Sequence, residues 1–164
     1  MNSTVEVRLA RAGDAATIAA MRVRSTAERR SIPAELREPY RATTRAALEA
    51  GLRAESVFVW LAFDGERAVG TASLMLLPTL PRFDARSAHD GRIRNVYVEP
   101  DYRRRGIAAR LMGEAIEKAR ALQVDRLTLG TSPAGRSLYE RLGFTPKVDE
   151  MIYCERASGE PPPT

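Results

Sequence analysis

The sequence predicts an α/β (α+β) fold, and three observations carry the prediction. Stretches of strand and helical periodicity alternate in the order β-α-α-β-β-β-α-β-α-β. Asp64-Gly65 separates two apolar runs, as a tight hairpin turn does. Val96 to Leu111, VYVEPDYRRRGIAARL, passes from a β-branched run through a basic loop into a long amphipathic helix.

Each element has its own signal. Val5 to Leu9 alternates as a first strand and ends at Ala12-Gly13-Asp14. Asp14 is the expected N-cap of a helix carrying Ile18, Met21 and Val23. Ser25 to Ile32 is polar and loop-like. A second helix follows Pro33, shows Leu36, Tyr40, Ala47 and Leu48 on its apolar side, and ends near Gly51. Val57 to Phe63 and Ala68 to Leu77 form the hairpin. Pro78 to Asp90 has two prolines and no period, so an exposed loop is expected, with His89, the one histidine, solvated in it. Ile93 to Val98 is the central strand. Gly106 to Leu122 is the helix after it, with a stripe of Ala108, Leu111, Met112, Ala115, Ile116, Ala119 and Leu122. Arg126 to Leu129 is a further strand, Pro133 to Leu142 a short helix stopped by Gly143, and Glu150 to Cys154 a last strand. No repeat or linker divides the chain, so one domain over 1–157 and a flexible Pro-rich tail over 158–164 are expected.

Composition narrows the class. A chain of 164 residues, 44% hydrophobic and 29% charged, can build a core without staples. It has no apolar run long enough for a bilayer and no secretory signal pattern, so no membrane partner is expected and the cytoplasm is the expected compartment. A single cysteine, Cys154, is expected as a small core residue; it excludes an internal disulfide and leaves no cysteine cluster for a metal, and none is expected. The net charge of +5 raises the question of nucleic acid. Yet only Lys118 and Lys147 are lysines, the arginines are scattered, and Glu114 with Lys118 and Glu117 with Arg120 form pairs typical of solvated helix faces. No nucleic-acid partner is therefore expected, and a basic nucleic-acid-binding domain is the lesser alternative.

The strand, basic loop and helix N-terminus in sequence make an anion site. The first turn of a helix has unpaired N–H groups at its positive dipole end, and neighbouring guanidinium groups add charge. Gly106 admits a backbone conformation or close approach that a Cβ blocks, and Ala108 keeps the wall low. The reading from the residues is a phosphate-bearing ligand held mainly by backbone amides. No GxxxxGK(S/T) and no strand-following GxGxxG occurs, which excludes the common mononucleotide and dinucleotide loops.

Arg103-Arg104-Arg105-Gly106-Ile107-Ala108 resembles the acyl-CoA signature of the GNAT superfamily of N-acetyltransferases: Arg or Gln, two residues, Gly, one residue, then Gly or Ala. Val98-Glu99-Pro100 precedes it, as a Val-x-Pro commonly does there. Ser137 to Phe144, SLYERLGF, resembles the family's LYE-x-x-GF segment, and Val7 to Met21 is similar to its opening strand, turn and helix. The resemblance implies the acyl-CoA N-acyltransferase fold, a mixed central sheet of six to seven strands with helices on both faces. It implies acetyl-CoA as co-substrate and direct transfer to an amine in a ternary complex. A homodimer is compatible with that fold, though no residue pattern specifies one.

The same resemblance implies site roles. Strands 93–98 and 126–129 would splay, with cofactor in the gap. Val96 and Val98, flanking Tyr97, would offer backbone groups to the pantetheine arm, and an amide there can polarise the thioester oxygen. Arg103 takes the signature's first position. The amides of Arg104, Arg105, Gly106, Ile107, Ala108 and Ala109 would hold the pyrophosphate. Tyr139 would protonate the leaving thiolate, since a phenol of reference pKa near ~10 carries its proton at neutral pH. Packing of the short helix is the plainer role for that ring, and the flanking motif favours the catalytic one. Ser137 is either a cofactor contact or a solvated helix residue.

No general base follows from the residues. The central strand offers Arg92, Arg94 and Asn95, with Asp90 at its start; Asn95 can orient a water or the amine but not take a proton. Glu28, Glu35 and Glu38 are not supported by spacing, and Glu99 and Asp101 serve the turn. Relatives often carry an asparagine where this chain has Ser132-Pro133-Ala134-Gly135. Trp60 and Tyr97 suit ordinary packing better than an acceptor pocket. The acceptor is expected to be a small-molecule amine or a peptide, bound by the helices within 15–50 and the loop 78–90. A non-catalytic acyl-CoA-binding module of the same fold is the main alternative.

Overall fold

The computed structural model describes residues 5–80, 83–85 and 87–147. Its elements are β1 (Glu6–Leu9), α1 (Ala15–Ala27), α2 (Ala34–Arg53), β2 (Val57–Asp64), β3 (Arg67–Pro78), β4 (His89–Val98), α3 (Ile107–Ala121), β5 (Leu127–Leu129) and α4 (Pro133–Arg141). Short 3-10 turns at Ala12–Asp14 and Pro100–Tyr102 lead into α1 and towards α3. The chain packs as two compact units, Met1–Thr131 and Ser132–Thr164. The first contains the sheet and three helices; the described part of the second is α4 and the residues after it.

The sheet is mixed, as expected: β1 to β4 pair antiparallel in chain order and β5 joins β4 in parallel. The strand count is a correction. Five strands form the sheet among the described residues, not six to seven. The sixth expected strand, Glu150 to Cys154, and the tail 158–164 lie outside the described residues. The expected loop 78–90 is also shorter, because Pro78 and Leu77 pair with His89 and Asp90. Backbone pairing continues there beyond the apolar pattern, and His89 is an exposed strand-end residue.

Alternation sends the residues of each strand to two covered faces. On one, Val59, Leu61 and Tyr97 are buried with Ile18 and Met21 of α1, and Leu48 and Leu52 of α2 pack against them. On the other lies α3: Lys118 sits over the Phe58 ring, and a Cβ added to Gly70 would meet Ile107 and Leu111, each at 3.1 Å. Leu111, Met112, Ala115 and Ala119 of the expected stripe are buried, and Ile107 joins them. Trp60 is core, 4% exposed.

Asp14 occupies the N-cap position of α1 but makes no side-chain cap hydrogen bond. Its carboxylate accepts from both terminal nitrogens of Arg8, at 2.8 and 2.9 Å, and from the Arg11 amide at 2.7 Å. Those bonds tie β1 to the turn before α1. They hold the carboxyl below its ordinary value, the Arg8 hydrogen bond being the largest cause.

Candidate functional site

Two features shape the end of β4. Its pairing with β5 covers only Gly91, Arg92 and Ile93, opposite Leu127, Thr128 and Leu129. Beyond Ile93 the edge of β4 facing away from β3 has no strand beside it among the described residues. Between Arg94, opposite Ser73, and Tyr97, opposite Thr71, β4 also carries one residue more than β3 does, so Asn95 and Val96 form a bulge.

Strand alternation then fixes which groups face the open edge. The Glu99 amide donates to Val69 O at 2.9 Å, so Glu99 points towards β3. Val98 therefore directs its backbone groups to the other side, and Val96 does likewise two residues earlier. Tyr97 faces otherwise: its backbone lies opposite Thr71, and its ring is buried against α1.

Among the described residues, four that are not glycine have positive φ: Glu55, Asn95, Arg104 and Gln123. Two are explained by helix ends. Glu55 follows the C-cap of α2 and Gln123 that of α3, each in the Schellman pattern, where a left-handed residue satisfies the last carbonyls. The other two flank the open edge. Asn95 (φ 54) sits in the bulge, a position asparagine tolerates better than most residues. Its Oδ1 is buried with no hydrogen-bond partner among the described residues. Arg104 (φ 62) bends the loop that leads to α3.

Gly106 is the N-cap of α3 at φ 75, with no side-chain cap. An added Cβ there would meet nothing within 4 Å, so conformation rather than crowding calls for glycine. The Arg110 amide donates to Gly106 O at 3.1 Å. Helix geometry leaves the N–H groups of Ile107, Ala108 and Ala109 before it without intrahelical acceptors.

The three arginines of the run do different things. Arg103 Nε donates to Val98 O at 2.8 Å and its Nη2 to Glu28 Oε2 at 2.6 Å, with the guanidinium 5.7 Å from the Tyr97 ring centroid. Arg105 Nη2 donates to Asp101 O at 2.7 Å and lies over Tyr102. Arg104 is exposed. The first and third arginines thus build the loop.

Sequence reasoning missed the polar cluster behind that loop. The Tyr97 hydroxyl is 3.0 Å from Glu28 Oε1 and 3.1 Å from Glu99 Oε2, and with one hydrogen it donates to one at a time. Arg24 Nε donates to Glu99 Oε1 at 2.8 Å. Burial, then the hydrogen bond to Glu28, pushes the Tyr97 phenol well above its ordinary value. Glu99 therefore does more than serve the turn, and both oxygens of Glu28 are engaged. Glu38 pairs with Arg41 on α2. No single-residue pattern marks this cluster, since α1 and β4 are far apart in sequence.

Taken by itself, α4 explains its own motif. The Gly143 amide donates to Glu140 O and the Phe144 amide to Tyr139 O, both at 3.0 Å, with Gly143 at φ 89. This is a Schellman stop, and the Phe144 ring meets the Tyr139 ring edge-on at 6.2 Å, the apolar contact that accompanies it. Tyr139 is half-buried and Ser137 exposed.

Among the described residues, no group of three or more His, Cys, Asp or Glu is arranged to hold a metal ion, and no helix is long and apolar enough to cross a membrane.

A model of the acetyltransferase (GNAT) family matches residues 16–144. A glucosamine 6-phosphate N-acetyltransferase of Trypanosoma brucei brucei is 35% identical over 85 residues, 52% of this chain and 56% of that protein. The chain thus spans about half the length of this curated relative. A predicted acetyltransferase from Clostridium acetobutylicum, crystallised with acetyl-CoA, superposes with a TM-score of 0.82 at 20% identity, over 92% of this chain and 96% of that one. A GCN5-related N-acetyltransferase from Ralstonia eutropha JMP134 superposes with a TM-score of 0.79 at 24% identity, over 92% and 99%. At these identities the likeness to the solved structures is one of fold.

Proposed function

The chain belongs to the acetyltransferase (GNAT) family, and from that premise we propose that it transfers an acetyl group from acetyl-CoA to a small-molecule amine. The observation that carries the reading is the junction of an unpaired β4 edge with an uncapped helix N-terminus at a left-handed Gly106. The edge offers hydrogen-bonding groups to an extended amide chain, and the helix start offers N–H groups to a pyrophosphate. Both are what a pantetheine-linked nucleotide requires. The name of the trypanosomal relative supports a small amine as acceptor. The family match covers residues 16–144, and on this reading 1–157 acts as one functional domain.

When bound, acetyl-CoA supplies a thioester activated towards attack by an uncharged amine. The residues bind and orient. Val96 and the Val98 amide hold the arm along β4, and an amide at the bulge polarises the thioester oxygen. The Val98 carbonyl is taken by Arg103, so it holds the loop rather than the ligand. The amides of Ile107, Ala108 and Ala109 hold the pyrophosphate, and Arg104, exposed beside them, adds positive charge. Tyr139 keeps a proton on its phenolic oxygen for the departing sulfur; this role rests on the SLYERLGF motif.

One observation favours a second reading, an acyl-CoA-binding module without turnover. Glu28 and Glu99, brought to β4 by the fold, spend their oxygens on Arg103, Arg24 and Tyr97, which leaves neither turned to an incoming amine. Release of free thiol from acetyl-CoA, measured across a panel of amines, separates the two. The transfer reading expects release with at least one amine and its loss in Tyr139→Phe. Saturable CoA binding with no release for any amine supports the module.

A further inference from the structure

Arg92 and Arg94 stand on the sheet face that α1 and α2 cover. Arg94 lies opposite Ser73 and Arg92 opposite Met75, which in turn lie opposite Val59 and Val57, and Val59 packs with Ile18 and Met21. Thr128 of β5 shares the face, and Arg92 Nη1 donates to its hydroxyl at 3.3 Å. Arg22 belongs to α1, the helix packed on this face, and its guanidinium lies over the Tyr40 ring, 6.0 Å from the centroid. The Arg94 guanidinium is held below its ordinary value by partial burial and by the like charges of Arg92 and Arg22.

These three cations lack what the chain supplies elsewhere. Arg8, Arg24, Arg45, Arg103, Arg120 and Arg136 each pair with a carboxylate. Among the described residues no carboxylate hydrogen-bonds to or ion-pairs with Arg22, Arg92 or Arg94. Arg92 Nε is buried without a partner among the described residues, and so is Thr71 Oγ1 on the same face. Gathering like charges and orphaned donors costs folding free energy, and it persists where a ligand supplies the missing charge. The cluster ends one residue before the bulge at Asn95 and Val96, beside the edge that holds the donor in the reading above. Two guanidinium forks two residues apart on one strand, roughly 7 Å, suit the several oxygens of one anionic group.

We infer that the acceptor amine carries an anionic group, a phosphate monoester or a carboxylate, seated by Arg92 and Arg94 of β4 and Arg22 of α1. The inference rests on the acetyl-transfer reading for the identity of the reacting amine, and on the cluster for the anion.

Calorimetric titration of the full chain, saturated with CoA, tests it without depending on turnover. Glucosamine 6-phosphate is compared with glucosamine, and β-alanine with β-alaninamide. The anionic member of at least one pair is expected to bind about 10–100-fold more tightly, as charged hydrogen bonds provide. Arg92→Gln and Arg94→Gln each remove most of that preference, and Arg120→Gln on α3 leaves it intact. The pair that shows the preference identifies phosphate or carboxylate. Arg94 is exposed and bonds to no described residue, so Arg94→Gln should fold, which its melting temperature checks. Equal binding within both pairs, no saturable binding of any anionic amine, or a preference that survives both substitutions overturns the inference. Failure of thiol release alone removes the transfer reading and leaves this one decided by binding.

Discussion

Arg103 Nε donates to the backbone carbonyl of Val98 at 2.8 Å, closing the end of β4 onto the loop that starts α3. Because the same guanidinium grips Glu28, one side chain fixes the strand, the loop and the end of α1 together. A planar fork does this and an ammonium does not. Arg103→Gln and Arg103→Lys are both expected to weaken CoA binding about tenfold, a loss comparable to one charge-assisted hydrogen bond. Calorimetric titration with CoA checks this; full rescue by lysine contradicts the positioning role.

Gly106→Ala isolates backbone conformation from crowding. The methyl meets nothing within 4 Å, but φ 75 is left-handed. The substitution is expected to cost about 1 kcal/mol of stability if the backbone stays. Relaxation of the backbone would re-aim the first amides of α3, so CoA affinity falls as stability is regained. Thermal melts with and without CoA check it: a variant that keeps both stability and affinity contradicts the account.

The β1–α1 corner has a pH signature. Asp14 is held below its ordinary 3.8, first by the Arg8 hydrogen bond. A depressed carboxyl contributes stability above its unfolded value and loses it as pH falls through the folded one. Asp14→Asn is therefore expected to cost about 1 kcal/mol at pH 7 and progressively less below about pH 4. Denaturant unfolding at pH 7 and pH 3 measures the difference, and a cost that does not shrink at low pH contradicts it.

Local periodicity made most of this fold legible. The hairpin around Asp64-Gly65, the stripe of α3 and the stop at Gly143 all follow from patterns within a few residues. What escaped needed distant partners. The bulge at Asn95 and Val96 is visible only against β3, and the Tyr97 cluster joins residues about seventy positions apart in sequence. The run of three arginines divides only by its contacts: Arg103 bonds to the Val98 carbonyl and Arg105 to that of Asp101, while Arg104 is exposed. Asp14 stands at the N-cap its sequence position predicts, but its oxygens go to Arg8 and the Arg11 amide, partners that helix-capping rules do not name.

The SLYERLGF motif has two separable parts. Gly143→Ala breaks a left-handed stop at φ 89 and is expected to destabilise α4 by about 1 kcal/mol, read from hydrogen exchange of its amides. Tyr139→Phe keeps the ring against Phe144 and removes only the hydroxyl. It is expected to lower kcat about 100-fold. Equal activity of Tyr139→Phe and the parent chain contradicts the proton-donor role.

A titration of the 15N-labelled chain with CoA, followed by amide chemical shifts, tests the central claim most directly. The account expects saturable shifts at Val96 and Val98 on the edge of β4 and at Arg104 to Ala109 around the start of α3. Saturable shifts confined to other segments, or none at all at millimolar CoA, would contradict it.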